Sequence, residues 1–248
     1  MRRERAYLLT EIIAVSAVAW IYLIRMPMSA ADFGTLAARI AAPLPTTLVD
    51  FSICFLMWAV MMVAMMLPSA SPMVLTYARL ARGRDQVSVL WTWVFAAGYL
   101  AVWTAFSFAA TVAQLTLARA AVLTNALTVA PILGAAILGA AGIYQFTPWK
   151  SACLRHCQSP VGFFMTRWRD GAAGAFRMGL QHGTSCVGCC WMLMALLFVA
   201  GVMNLVWVAS ITIFVLLEKL IPYPRAVSFT AGCVLITAGV IVLFSDEA

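Results

Sequence analysis

Long uncharged runs separated by short polar ones set the frame of this chain. Seven runs, near residues 8–24, 51–78, 89–117, 122–147, 180–201, 204–221 and 226–245, approach or exceed the roughly 20 apolar residues that a helix needs to cross a bilayer. Pro68 and Pro72 fall in the last third of the second run and predict a kinked or partly unwound end there. From Met178 to Leu217 there is no Lys, Arg, Asp or Glu, enough for two spans, with Gly201-Val202-Met203-Asn204 as the tight turn between them. Asn204 itself reads as a cap or turn residue. The last run carries Thr230-Ala231-Gly232 and Ala238-Gly239, small residues that let helices pack closely. One sizeable connection, 148–179, remains. Its end, from Val161 to Gln181, mixes Phe163, Phe164, Trp168 and Phe176 with Arg167, Arg169 and Arg177, a pattern that suits a helix lying along the membrane surface. The expected fold class is all-α, a polytopic transmembrane helix bundle of about seven spans forming a single integral membrane domain over residues 1–248.

Composition supports this reading and sharpens the topology. The chain is 64% hydrophobic and 10% charged, with a mean hydropathy of +0.97, far too little charge for the surface of a soluble domain of this size. Its formal charge of +7 is therefore read as topology rather than as an attraction to nucleic acid, because Lys and Arg collect in cytoplasmic loops. With the N-terminus inside, every one of the 16 Lys and Arg except Arg25, Arg39 and Arg119 falls on the inner side. The expected orientation is N-terminus cytoplasmic and C-terminus periplasmic, with Asp246 and Glu247 at the exit. Three arginines before an apolar run, followed by Ser29-Ala30-Ala31, resemble a signal peptide. Glu11 and Arg25, flanking a span of nearly full length, favour an uncleaved first helix instead. There is no phosphate loop, no dinucleotide fingerprint and no Ser-His-Asp pattern.

Against this apolar background two short clusters stand out. Cys153-Leu154-Arg155-His156-Cys157 and His182-Gly183-Thr184-Ser185-Cys186-Val187-Gly188-Cys189-Cys190 hold five of the seven cysteines and both histidines of the chain. The first follows the exit of the fourth span and the second begins the fifth, so both fall on the cytoplasmic side. On a helix, His182, Cys186, Cys189 and Cys190 lie within an arc of about 100°, one face opposite the Cys153/Cys157 loop. Thiolate and imidazole are ligands for Cu(I) and Zn(II), and thiolate-rich sites also suit iron–sulfur chemistry. Lys150, Arg155 and Arg177 supply a positive neighbourhood that favours thiol ionisation. The plain alternative is packing, since free cysteine behaves as a small hydrophobe. Cys54 and Cys233, each alone in a span, are read that way. Convergence of His182 and the loop cysteines favours a site at the cluster.

A second constellation lies in the second run. Met57, Met61 and Met65 form an i, i+4, i+8 stripe with Met62 and Met66 beside it. Thioether is a soft neutral ligand that can carry Cu(I) without burying a charge, and methionine also fills irregular gaps between helices. Both readings stand. Glu218 precedes Lys219 at the end of the sixth run. It is either half of an interfacial ion pair or a carboxylate partner for His182, or a hard ligand completing the site.

Several of these stretches carry a family resemblance. Met57-Trp58, Met61-Met62 and Met65-Met66-Leu67-Pro68; Thr147-Pro148, Lys150, Cys153, Cys157 and Pro160; Gly188-Cys189-Cys190-Trp191; Gly201-Val202-Met203-Asn204; and Glu218-Lys219-Leu220 together resemble an uncharacterised bacterial family of predicted metal-binding integral membrane proteins. The resemblance covers roughly residues 50 to 240. It implies metal binding through Cys153, Cys157, Cys186, Cys189 and Cys190, whereas His182 rests on its spacing alone.

The expected function is binding of a soft metal, Cu(I) favoured over Zn(II), with transport or delivery across the bacterial inner membrane. Cys153, Cys157, His182, Cys186, Cys189 and Cys190, with His156 nearby, would hold the ion, and Met57, Met61, Met62, Met65 and Met66 would line a path to it. The expected partners are the lipid bilayer and a metallochaperone or partner membrane subunit, with no nucleic acid. Two alternatives stand beside it. One is a membrane thiol–disulfide oxidoreductase exchanging Cys153/Cys157 and Cys189/Cys190, disfavoured because adjacent helical cysteines are poorly placed to bridge. The other is a metal-stapled scaffold subunit of a membrane complex.

Overall fold

A computed structural model of the protein describes residues 2–25, 48–83, 88–120, 129–202 and 204–245. The Ser29-Ala30-Ala31 stretch, residues 122–128 of the fourth run, Arg39, Arg84, Met203, Asp246 and Glu247 lie outside the described residues. Ten helices account for nearly all the rest: α1 Arg2–Arg25, α2 Leu48–Arg82, α3 Ser88–Arg119, α4 Pro131–Gln145, α5 Pro148–Gln158, α6 Pro160–Arg167, α7 Gly171–Ala195, α8 Leu197–Ala200, α9 Leu205–Leu220 and α10 Pro224–Ser245. Prolines open α4, α5, α6 and α10 at positions where their missing N–H costs nothing. Among the described residues there is no strand.

Five stretches are long and apolar enough to cross a membrane: Ala6–Arg25, Leu48–Arg82, Val89–Arg119, Gly171–Ala200 and Pro224–Ser245. The pair α4 and α5, bent by 65° between them, makes a sixth if counted as one broken span. Outward faces carry exposed Ile13, Leu56, Val112, Val206 and Ile241, so the bundle is compatible with a multi-pass membrane protein.

Two sequence expectations are revised. The second run stays helical through both Pro68 and Pro72 rather than unwinding, and beside them the hydroxyls of Ser69 and Tyr99 both reach the carbonyl of Met66. The surface helix expected over 161–181 is instead two elements: α6 ends at Arg167, and α7 already begins at Gly171. The sequence hides this start because Arg177 interrupts the apolar pattern, yet Arg177 lies exposed on the outer face while Gly174, Ala175, Met178 and Gly179 are buried on the inner one. Among the described residues the fourth run forms α4 and then bends into α5, and the sixth run forms α9 within a residue of its expected bounds. The expected turn before α9 is present: Gly201 adopts φ 91°, and the Asn204 side chain caps the helix by accepting from the Trp207 amide.

Helix α2 runs through the larger core, where Met57, Trp58, Met61, Met62, Met65 and Met66 are all buried. The Trp58 indole N–H donates to Gln114 on α3 at 2.6 Å, tying the two spans with a polar contact that has no competing water in an apolar interior. Helices α3 and α7 pack still more closely. A Cβ at Gly98 would collide with the carbonyl of Phe176, and one at Gly179 with the carbonyl of Phe95. The absence of side chains there brings the two backbones together. A smaller core of Met73, Tyr77, Phe95, Phe163, Phe164 and Met178 joins α2, α3, α6 and α7.

Helices α5, α9 and α10 are joined by charge. Lys150 Nζ lies 2.7 Å from Glu218 Oε1 and 2.8 Å from Oε2, with both side chains 1% exposed. Ser228 Oγ donates to Glu218 Oε1 at 2.7 Å, and Gln158 donates to the Glu218 carbonyl at 2.8 Å. Removing one partner from such a pair leaves a buried, uncompensated charge, whereas replacing both with apolar groups removes the problem. Lys150→Met is therefore expected to cost about 3–5 kcal/mol and the double change Lys150→Met/Glu218→Leu much less. Thermal unfolding of detergent-solubilised protein checks this: a double variant no more stable than the single one would contradict the assignment.

Candidate functional site

The thiols meet where the end of α5 packs on the body of α7. Helix α7 carries His182, Cys186, Cys189 and Cys190 on its buried face, none more than 2% exposed. The spacing thus places all four on one face as expected, but near the middle of the helix rather than at its start. Cys157 of α5 is buried in the same core. Cys186, Cys189 and Cys190 join Cys157 there, all four thiols buried. Four sulfurs from two helices therefore form one group. Cys153, a turn earlier on α5, is half-buried at its edge and rests on Gly188, where a Cβ would stand 2.7 Å from its sulfur. That glycine is what lets α5 approach α7 at the level of the thiols.

Cys186 is the hub. Lys219 Nζ donates to Cys186 Sγ at 3.1 Å and to Ser69 Oγ at 2.8 Å. Ser69 Oγ donates to the Met66 carbonyl at 2.9 Å; Tyr99 Oη lies 3.1 Å from that carbonyl and 3.2 Å from Cys186 Sγ. These contacts close a ring through α2, α3, α7 and α9, and every side chain in it is buried. Cys189 and Cys190 turn their sulfurs back to the Cys186 carbonyl, at 3.1 and 2.9 Å. Among the described residues, no group of three or more His, Cys, Asp and Glu side chains is set as a metal cage. The donor chemistry nonetheless suits a soft ion. Thiol–carbonyl contacts are weak, so a rotation about χ1 exchanges one for a sulfur–metal bond at small cost.

The remaining expected residues divide. His182 is buried beside the thiols, close enough to Cys186 and Lys219 to feel their charge, and its ring stacks on Tyr99 at 5.2 Å and Phe95 at 6.2 Å. Its Nδ1 has no hydrogen-bond partner among the described residues, a state that buried polar atoms rarely keep without reason. His156 is engaged with its own helix, Nδ1 2.8 Å from the Ala152 carbonyl. Glu218, read either as half of an interfacial ion pair or as a partner for His182 or a ligand, makes no hydrogen bond to His182. Its carboxylate is taken by Lys150 and Ser228, because a buried carboxylate is held by the nearest cation and donors. Likewise the positive group at the thiols is Lys219, while Lys150 is committed to Glu218 and both Arg155 and Arg177 are exposed. The methionine stripe belongs to the same buried core as Cys186, Cys189 and Cys190.

Two residues beside the thiols are not among the expected ligands. Lys219 was readable only as half of a Glu-Lys pair. Met194, fully buried in the thiol-bearing core one turn beyond Cys190, was signalled by its i+4 spacing from a candidate ligand.

A family model described as PpoB2, copper chaperone, matches residues 55–242. The match covers most of the chain and nearly coincides with the stretch over which the motifs resemble a metal-binding family. No curated protein and no solved structure matches the chain.

The burial pattern sets an order of thiol reactivity. In the folded, reduced protein, a water-soluble maleimide should modify Cys153 at least about tenfold faster than Cys157, Cys186, Cys189 or Cys190, because reactivity follows access. Mass spectrometry of partially labelled protein reads the order, and early labelling of Cys186 would contradict the geometry.

Proposed function

We propose a copper-handling role from one premise: the chain belongs to the PpoB2 copper chaperone family. A chaperone receives its cargo and passes it to another protein, so the binding site must be both selective and reversible. In our reading the cargo is Cu(I), the soft ion that thiolate and thioether favour together. The observation that carries this reading is the meeting of Cys157, Cys186, Cys189 and Cys190 in one buried group beside a methionine-lined core. Cys186, already the acceptor of Lys219, is the first sulfur to engage the ion. Cys157, on a separate helix, closes over it, and Cys153 at the exposed edge offers the exchange point. His182, with its unpartnered nitrogen, completes the set. Lys219 gives up one of its two contacts on loading and keeps Ser69.

The methionine stripe extends the reading from storage to movement. Met57, Met61, Met62, Met65 and Met66 provide neutral soft donors along α2, each weak enough to release. Counting the bent α4–α5 pair and α9 as crossings gives seven passes through a bacterial inner membrane, N-terminus cytoplasmic and C-terminus periplasmic. On that topology the thiols lie toward the cytoplasmic face. The adjacent Cys189 and Cys190 both point at the Cys186 carbonyl rather than at each other, an arrangement for shared coordination rather than for a bridging disulfide.

Reduced, metal-free protein in micelles, titrated with Cu(I) against a chromophoric chelator, should bind Cu(I) in preference to Zn(II). Cys186→Ser should lower Cu(I) affinity by more than about tenfold. Retention of wild-type affinity by Cys186→Ser, or a preference for Zn(II), would sink the assignment.

The path has a separate signature. Met61→Leu/Met65→Leu should leave equilibrium affinity at the thiols unchanged while slowing copper passage in proteoliposomes several-fold, since leucine keeps the volume but removes the sulfur. Unchanged passage would leave the stripe as packing alone.

A further inference from the structure

Away from the thiols, on the other side of α5, a cleft of about 480 Å³ opens between that helix and the turn joining α9 to α10. Arg155 and Gln158 of α5 face Tyr223, Arg225 and Ser228 across it. Both arginines are exposed, and neither has a carboxylate partner among the described residues. Glu218 lies behind the Ser228 wall with its charge already met by Lys150. The cleft is therefore cationic without internal compensation. It also stands beside an exposed tyrosine, a residue that favours the headgroup level of a bilayer.

The cleft does not end at its polar floor. Ala226 lines it and also lines a second, apolar groove of about 580 Å³ that follows α10 against α9 and the end of α7. Phe214, Trp207, Val234, Leu235 and Leu193 form its walls. From Ala226 to Leu235 the groove extends about 14 Å along α10 at the helical rise. A basic recess opening onto an apolar channel has the polarity of a phospholipid, headgroup first and acyl chain after. A transmembrane helix from a partner would match the groove but leave two arginines facing nothing. A free anion would match the arginines but leave the groove empty.

We propose that the cleft and groove together hold one anionic glycerophospholipid, its phosphate between Arg155 and Arg225 and an acyl chain along α10. The bound lipid packs against the same Ser228 that holds Glu218, so it braces α5 from outside while the Lys150 pair braces it from within. This assignment is independent of the metal. It needs only the two arginines, the cleft and the groove.

Native mass spectrometry of the detergent-purified full chain, given equal amounts of phosphatidylglycerol and phosphatidylcholine of matched chain length, tests it. The wild type should retain phosphatidylglycerol about tenfold better than phosphatidylcholine, and Arg155→Gln/Arg225→Gln should erase that preference while keeping the thiol reactivity pattern of the folded protein. Ala231→Trp, which fills the groove, should reduce retention of both lipids. Equal retention of the two lipids by the wild type overturns the proposal, as does an undiminished preference in the arginine variant. Displacement of the lipid by millimolar inorganic phosphate reassigns the cleft to a free anion, and a lipid-free dimer reassigns the groove to a second chain; either result also overturns it.

Discussion

A single buried carboxylate organises one side of this bundle. Glu218 cannot remain charged in an apolar interior unless its oxygens are met, and two other helices bring what it requires. Lys150 arrives from α5, Ser228 from α10, and Gln158 of α5 takes the adjoining carbonyl. The helix that carries Cys157 is therefore docked by a charge requirement as well as by the packing of Leu154, Cys153 and Cys157 on the core. Lys219, next in the chain, points about 100° away around α9 and reaches Cys186 instead. Two neighbouring charges in one helical turn thus fix both walls of the thiol group: one holds α5 in place, the other holds the hub sulfur.

Much of the fold was readable because membrane helices announce themselves through uncharged length. The helical bounds of α1, α3 and α10 follow the apolar runs closely, and Asn204 caps α9 as its residue type predicts. Misreadings arise where a charge lies on a helix without ending it. Arg177 looks like loop in the sequence but sits on the outer face of α7. The break between α4 and α5 is equally hidden, since Thr147-Pro148 could end a span or bend it, and only packing decides.

The site was legible in part for the same reason. A 3.6-residue period gathers His182, Cys186, Cys189 and Cys190 onto one face, and they are buried together. That Cys157 rather than His156 joins them follows from which face of α5 is turned inward, a matter of the Gly188 contact and the Lys150 pair that no local pattern contains. Lys219 was hidden by adjacency: an acid beside a base in sequence invites the reading of a pair, although consecutive helical residues do not face each other. Family membership adds copper to this picture, and the sulfur-rich interior gives that description a physical basis.

The glycine crossing of α3 and α7 has a mechanical consequence. Where Gly98 and Gly179 press backbone on backbone, there is no side chain to rotate aside, so that wall of the cavity is stiff. The opposite wall, α5, meets α7 through the Cys153 side chain resting on Gly188 and is tied down by one ion pair and one amide. The two walls therefore differ in kind: one is backbone on backbone, while the other is side chains of α5 set on a glycine of α7 and held by a buried ion pair.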